Sequence, residues 1–207
     1  MHLALFGATG RVGSRFLEYA LADFHMVRVL VRDLGTLSPR PGLQIVQGDV
    51  LDRRTVAAVI AGTDAVVSTI GGAGIKDPGE APSQGMRNIV DAMAQNGVAR
   101  VLGVAGGGIL DSKKGGLRHD QKDFAPMFKA VSDRHQAAWE AMQESGLDWT
   151  MLACPDIVPG QRTGKYRTLE NFLPEKATKI SVEDVADLLL RELSERKHLR
   201  KRLGVGY

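Results

Sequence analysis

The sequence predicts an α/β protein with a doubly wound, mainly parallel sheet and helices on both faces. Short apolar segments typical of strands alternate along the chain with longer segments whose apolar residues recur at helical spacing. A chain of 207 residues can bury the core of one such domain. Too few residues follow the last strong strand segment for another domain. We therefore expect residues 1–207 to form one domain.

The first predicted strand leads directly into a glycine turn. Residues 2–6 are mostly apolar, and Gly7, Gly10 and Gly13 follow before a helix-like pattern. Strand, glycine turn and helix in this order are typical of dinucleotide binding, although the spacing here is G-x-x-G-x-x-G. Gly7 would permit a sharp turn, Gly10 the close approach of a pyrophosphate, and Gly13 the packing of helix on strand. A purely structural turn is the alternative.

The later elements continue the alternation. Further strands are predicted at residues 26–31, 43–46, 65–70, 101–105 and 149–153, and helices at 52–61, 83–95, 128–144 and 181–193. Ser83 is expected to cap its helix and Gly97 to end it. Ser181, with Asp184 at capping distance, should begin the last helix, and residues 203–207 are predicted as a closing edge strand.

Three long loop-like stretches follow the ends of predicted strands. They are residues 71–82, 106–126 and 156–176. Ligands of open α/β sheets bind at the carboxyl ends of the strands, so these stretches are expected to form the walls of a substrate site.

Composition and charge limit the classes of function. The formal net charge is +3, and a cluster of cations near the C terminus could be read as a nucleic-acid or membrane patch. The solvated end of a helix is the favoured reading, because no aromatic residues are interleaved. A lone Cys154, no apolar stretch of membrane-spanning length and no signal-peptide pattern lead us to expect a cytoplasmic protein that binds neither nucleic acid nor membrane.

The end of the second strand indicates which nucleotide binds. An acid here favours NAD through the ribose hydroxyls, whereas an arginine favours the 2′-phosphate of NADP. The chain has both, as Arg32-Asp33, and Arg11 in the glycine turn adds a second cation. Two cations against one acid favour NADP, with NAD as the alternative. Asp49, after the third strand, could accept a hydrogen bond from the adenine amino group or cap the next helix.

The proton-donating pair of many short-chain dehydrogenases, Tyr-x-x-x-Lys, is missing. Tyr19 is followed by Asp23, Tyr166 by Glu170, and Tyr207 ends the sequence. No G-x-S-x-G motif or histidine pair with metal-ligand spacing is present, so no metal is expected. A conjugated acceptor that takes a hydride and then a proton from water needs proximity more than a positioned acid.

Few polar residues are candidates for the reactive end of the site. Asp156, after the sixth strand, could orient a nicotinamide, relay a proton or only cap a loop. His135 lies mid-helix, where a solvated or helix-facing role is favoured over a catalytic one. His119 and Asp120 lie in a long polar loop that could act as a lid.

Seven segments in order resemble the flavin reductase/biliverdin-IXβ reductase family of atypical short-chain dehydrogenases, which borders on NmrA-like proteins. The segments are FGATGRVG (6–13), VLVRD (29–33), GDVL (48–51), DAVV (64–67), GMRNI (85–89), AVSDRH (130–135) and ESGL (144–147). The resemblance covers nearly the whole chain. It implies a monomeric Rossmann-like protein that uses NADPH to reduce flavins such as FMN or riboflavin, and linear tetrapyrroles.

The resemblance also implies a set of cofactor contacts by matching position. They are Gly7, Thr9, Gly10, Arg11, Val12, Gly13, Arg32, Asp49, Val50, Ile70, Gly71, Ser83, Pro155 and Ile157. On the catalytic side, the family has a serine where this chain has Gly106 and a histidine where it has Asp156. The run of glycines from Gly106 would open space beside the nicotinamide or direct backbone N–H groups toward a substrate oxygen.

Three functions follow as hypotheses. The first is an NADPH-dependent reductase of a flavin or a similar flat conjugated acceptor, including a linear tetrapyrrole. The alternative is a non-catalytic NAD(P) redox sensor of the NmrA-like type, favoured by the missing serine, histidine and Tyr-x-x-x-Lys pair. The third is an NAD(P)-dependent epimerase, against which the absence of a tyrosine base weighs.

Overall fold

An eight-stranded sheet forms the centre of the computed structural model, which describes residues 1–75 and 77–207. The strands are β1 (His2–Phe6), β2 (Met26–Val31), β3 (Leu43–Gln47), β4 (Ala65–Ser68), β5 (Arg100–Gly106), β6 (Asp148–Cys154), β7 (Asp156–Val158), β8 (Arg167–Glu170), β9 (Lys179–Ser181) and β10 (Lys201–Gly206). The helices are α1 (Arg11–Ala22), α2 (Arg53–Ile60), α3 (Ala81–Asn96), α4 (Lys129–Glu144) and α5 (Val182–Glu195).

The strand order is β3-β2-β1-β4-β5-β6-β10-β8, and every neighbouring pair is parallel except β10–β8. β7 and β9 form a separate parallel pair. The order reverses between β1 and β4, which makes this point the topological switch of the sheet. The predicted α/β fold with a mainly parallel, Rossmann-like sheet is confirmed.

Helices cover both faces of the sheet because side chains alternate along each strand. Leu3 and Leu5 pack into a core beneath α1 and α5, whereas Ala4 and Phe6 pack into a second core beneath α2, α3 and α4. None of the helices in residues 1–75 and 77–207 combines the length and apolar character needed to cross a bilayer.

Two predicted helix signals hold and one is wrong. Gly97 ends α3 in the left-handed conformation at φ 67°, and the Ser181 hydroxyl accepts a hydrogen bond from the Asp184 amide at 3.0 Å. Ser83 does not cap α3, because the helix begins earlier, with Glu80 in the capping position. Pro82 in the first turn explains the earlier start, since proline is suited to a position whose amide needs no helical partner.

The C-terminal part of the sheet differs from the prediction. The strand predicted as the sheet edge, β10, lies between β6 and β8, so the edge prediction is wrong. β7 and β8 both lie in the stretch 156–176, predicted as loop. β8 is short, and its sequence, RTLE, has no alternating apolar pattern because all four residues are exposed and none packs into a core. Its backbone hydrogen bonds come from pairing with β10.

Candidate cofactor and acceptor site

A cavity of about 1060 Å³ lies along the carboxyl edge of the sheet. Residues at the ends of six successive parallel strands line it, where an open α/β sheet is expected to bind its ligand. These residues are Gly7, Arg32, Gly48, Thr69, Gly106 and Cys154.

The glycine turn after β1 is tightly built around Thr69. Gly7 has φ +87°, and a Cβ at this position would lie 2.8 Å from the carbonyl carbon of Thr69. A Cβ on Gly13 would lie only 2.1 Å from the carbonyl oxygen of Gly7. Gly13 does not line the cavity; it lets α1 approach the turn, as its place in the motif predicts.

The N terminus of α1 is open toward the cavity. Gly10 is its capping residue and supplies no side-chain acceptor to the first-turn amides. Free N–H groups and the helix dipole together favour an anion, so this cradle fits the pyrophosphate of a dinucleotide. Arg11, also in the cavity wall, donates from Nη1 to the carbonyl oxygen of Ile157 at 2.8 Å and so connects the glycine turn to β7.

The next part of the wall presents an arginine while its acidic neighbour is engaged elsewhere. Arg32 lines the cavity, and its guanidinium makes no ion pair or hydrogen bond within the described residues. The Asp33 carboxylate does not line the cavity and accepts a hydrogen bond from the Gly35 amide at 2.8 Å. Asp49 lines the cavity and accepts from the Leu51 amide, whereas Asp52, rather than Asp49, caps α2.

The opposite end of the cavity contains a histidine directed toward β5. The Nδ1 atom of His135 accepts a hydrogen bond from the Gly106 amide at 3.0 Å. Burial lowers the pKa of His135 to about 4, so the ring is neutral near pH 7 and its proton is on Nε2. Nε2 has no hydrogen-bond partner among the described residues and is not fully buried, and the side chain lines the cavity.

The expectation of a solvated or helix-facing His135 is therefore wrong. The imidazole lies close against Gly106, where a Cβ would be 3.4 Å from Nδ1, an ordinary van der Waals contact. A mid-helix histidine gives no sign of this contact in the sequence, because its partner is a backbone amide of a strand 29 residues earlier.

Apolar side chains surround the histidine end of the cavity. Phe128 and Val131 come from the start of α4, Leu173 from the segment after β8, and Phe124 from the preceding loop. The predicted lid residue His119 is fully buried and packs edge-on against Phe124, with ring centroids 6.4 Å apart. It packs into this wall from within, whereas the neighbouring Asp120 is exposed, and a lid role for this loop stays a prediction.

The cavity gathers nearly all the residues singled out in the sequence. Among the described residues, only Gly13 and Ser83 of the predicted set do not line it; the Ser83 hydroxyl instead donates to the Glu80 carbonyl at 3.3 Å. Asp156 lies exposed on β7 in the cavity wall. The predicted residues that line the cavity are Gly7, Thr9, Gly10, Arg11, Val12, Arg32, Asp49, Val50, Ile70, Gly71, Gly106, Pro155, Asp156 and Ile157.

Comparison with known proteins assigns the family. Residues 7–196 match the protein family described as NAD(P)H-binding. The chain belongs to this NAD(P)H-binding family. A solved structure named "Putative exported protein" from Burkholderia pseudomallei is 32% identical, with a TM-score of 0.86 and 100% of both chains covered. An uncharacterized protein of Bacillus subtilis is 26% identical over 99% of this chain and 98% of its own length.

Similar structures within the fold are named for different reactions. A "putative epimerase" from Bacteroides thetaiotaomicron is 28% identical with a TM-score of 0.86, covering 100% and 96% of the two chains. A "putative NADH-flavin reductase" from Streptococcus pneumoniae is 24% identical with a TM-score of 0.84, covering 100% and 99%. An anaerobilin reductase from Escherichia coli is 24% identical with a TM-score of 0.81, covering 99% and 97%. Membership of the family therefore does not determine the reaction.

Proposed function

We propose that this NAD(P)H-binding protein is a reductase that transfers a hydride from NADPH to a flat conjugated acceptor, a flavin or a linear tetrapyrrole. One observation carries the proposal: a single cavity joins the N terminus of α1 and Arg32, whose guanidinium has no partner in residues 1–75 and 77–207, to an apolar pocket at His135. A dinucleotide bound on the cradle would direct its nicotinamide toward Gly106. The apolar walls then suit an aromatic acceptor beside it.

The residues of the cradle hold the cofactor, which supplies the hydride when bound. The first-turn amides of α1 bind the pyrophosphate, and Arg32 binds the 2′-phosphate that distinguishes NADP from NAD. Asp33 accepts from the Gly35 amide and does not line the cavity, which supports the preference for NADP. NAD remains the alternative cofactor, because the family is described as NAD(P)H-binding and covers both.

At the acceptor end, the side chains of the protein position and polarise the acceptor more than they protonate it. Neutral His135 donates a hydrogen bond from Nε2 to a polar atom of the acceptor while the Gly106 amide fixes its tautomer. Phe124 and Phe128 exclude water and stack against the acceptor ring. Asp156, which is exposed in the cavity wall, would relay from solvent the proton that the acceptor takes up after hydride transfer.

The tyrosines weigh against an epimerase. None of the three lines the cavity. The Tyr19 hydroxyl donates to Glu183, the Tyr166 hydroxyl to Asp187 at 2.7 Å and the Tyr207 hydroxyl to Asp184 at 2.6 Å. All three are therefore engaged away from the site.

The missing Tyr-x-x-x-Lys pair favours one second candidate, a non-catalytic NAD(P) redox sensor. Steady-state oxidation of NADPH with FMN, riboflavin and biliverdin in parallel distinguishes the two functions. Turnover with at least one acceptor supports the reductase. Tight NADPH binding without turnover on any of them contradicts the reductase and supports the sensor.

A further inference from the structure

Arg118 lies where the main cavity meets a second cavity of about 490 Å³. It lines both, together with Phe124 and Thr178. Its guanidinium forms no ion pair or hydrogen bond with any residue that the structure describes, and its Nε is buried. Its terminal Nη atoms, unlike Nε, are not fully buried, so they are open to an acceptor that enters the cavity.

The backbone holds Arg118 in a fixed position. Its amide donates to the Leu110 carbonyl at 2.8 Å, and its carbonyl accepts from the Gln121 amide at 3.2 Å. The next residue, His119, has a fully buried side chain. The arginine thus projects from an anchored loop, and little conformational freedom of the backbone would be lost when it binds a ligand.

The charges around the second cavity favour an anion. Lys113 and Lys176 line it and make no ion pair with described residues, and Glu175 is likewise unpaired. The other charged groups neutralise one another or are bonded elsewhere: Lys114 pairs with Asp123 at 2.9 Å, and Asp111 pairs with Arg202 at 2.5 Å. Three cations, counting Arg118, therefore face one free carboxylate.

We propose that Arg118 forms an anion subsite for a phosphate or carboxylate carried on the side chain of the acceptor. The inference rests on the proposed function, because the acceptor ring occupies the apolar pocket next to Gly106 while its anionic substituent extends toward the second cavity. A guanidinium binds phosphate and carboxylate oxygens in pairs, so the same side chain suits FMN or a tetrapyrrole with free propionates.

Two matched pairs of acceptors test the subsite. FMN differs from riboflavin by the phosphate, and biliverdin differs from its dimethyl ester by the carboxylates. Each is titrated into the protein saturated with NADP⁺, following flavin fluorescence or bilin absorbance, and kcat/KM with NADPH is measured in parallel. The variants are Arg118→Gln and, as a control, Lys122→Gln, whose exposed side chain lines neither cavity.

We expect Arg118→Gln to weaken binding of FMN, or of free biliverdin, by about tenfold and to leave riboflavin or the ester unchanged. The pair whose two members lose affinity unequally in Arg118→Gln shows whether Arg118 binds a phosphate or a carboxylate. Equal binding within both pairs by the wild-type protein overturns the subsite, as does an equal effect of Arg118→Gln on both members. Arg118-dependent discrimination in binding without turnover supports the subsite and contradicts the reductase.

Discussion

At the end of β2, Arg32 lines the cavity and its guanidinium has no partner among the described residues, whereas the Asp33 carboxylate accepts a hydrogen bond from the Gly35 amide. A hydrogen bond between charged groups contributes about 1.5–3 kcal/mol. We therefore expect Arg32→Ala to raise the Kd for NADPH by about tenfold to a hundredfold and to leave NADH almost unchanged. Fluorescence titration of both cofactors measures this, with Arg54→Ala on the exposed side of α2 as control. An equal loss of affinity for both cofactors would place Arg32 away from the 2′-phosphate.

Because His135 is buried, it makes the free energy of unfolding depend on pH. Burial lowers its pKa from 6.5 to about 4, so below pH 6.5 the unfolded chain binds a proton that the folded chain does not. Stability is fully present above pH 6.5 and falls as the pH falls toward about 4. At about pH 5 this costs the wild-type protein about 2 kcal/mol relative to neutral pH.

Urea unfolding at about pH 7.5 and about pH 5 tests this effect. The His135→Gln variant should lose about 2 kcal/mol less than the wild-type protein between the two pH values, because glutamine does not titrate. His2→Gln, at the exposed end of β1, should behave like the wild-type protein. The same pH-dependent loss in wild type and His135→Gln would show that the imidazole is not held neutral.

At the level of elements, the contact between the glycine turn and α1 leaves no room for a side chain. Gly13→Ala would place a methyl carbon 2.1 Å from the Gly7 carbonyl oxygen, whereas Gly106→Ala would meet only His135, at 3.4 Å. We expect Gly13→Ala to lower the free energy of unfolding by about 3 kcal/mol and to abolish NADPH binding. Gly106→Ala should cost less than about 1 kcal/mol. Equal stability of the two variants in urea unfolding would contradict this geometry.

The N-terminal part of α5 holds the segment after β7 through one buried carboxylate. Asp184 accepts hydrogen bonds from the Thr163 amide and hydroxyl at 2.7 and 2.6 Å, the Gly164 amide at 2.9 Å and the Tyr207 hydroxyl at 2.6 Å. Burial alone would raise the pKa of Asp184, but the hydrogen bonds from Thr163, Tyr207 and Gly164 outweigh it and lower the pKa. The ionised carboxylate therefore stabilises the fold above its unfolded pKa, and this contribution is lost in acid.

Asp184→Asn removes the charge and turns one acceptor atom into a donor that faces other donors. We expect the free energy of unfolding to fall by about 3 kcal/mol at neutral pH, because a buried charged hydrogen-bond network is broken. Asp91→Asn on the exposed side of α3 is the matched control and should change it by less than about 0.5 kcal/mol. Thermal unfolding of the two variants compares them, and similar melting temperatures would refute the assigned role of Asp184.

Elements with strong patterns could be predicted from the sequence, and weakly patterned ones could not. The alternating strands and amphipathic helices around the sheet, including the Gly97 stop and the Ser181 cap, follow from local residue chemistry. β7, β8 and β9 are short, and β8 is entirely exposed. Such strands exist because a neighbouring strand pairs with their backbone, which is a tertiary effect that periodicity does not record.

For the whole molecule, the residues proposed to hold the cofactor could be placed in one cavity from the sequence, because ligands of parallel sheets bind where the strands end. The glycine turn, Arg32 and Asp49 all lie at such ends. The acceptor half is built differently: His135 reaches in from a helix, and Arg118, Phe124 and Leu173 come from separate loops. Only the folded chain brings these residues together.

A single turnover under anaerobic conditions is the sharpest test of hydride transfer from NADPH to flavin in this cavity. The protein loaded with NADPH is mixed rapidly with FMN, and the absorbance of NADPH and that of oxidised flavin are followed together. We expect both to fall in the same phase and in equal amounts, and Arg32→Ala at the same low NADPH concentration to give a smaller amplitude. NADPH that remains bound and unoxidised while FMN stays oxidised would contradict hydride transfer to flavin at this site.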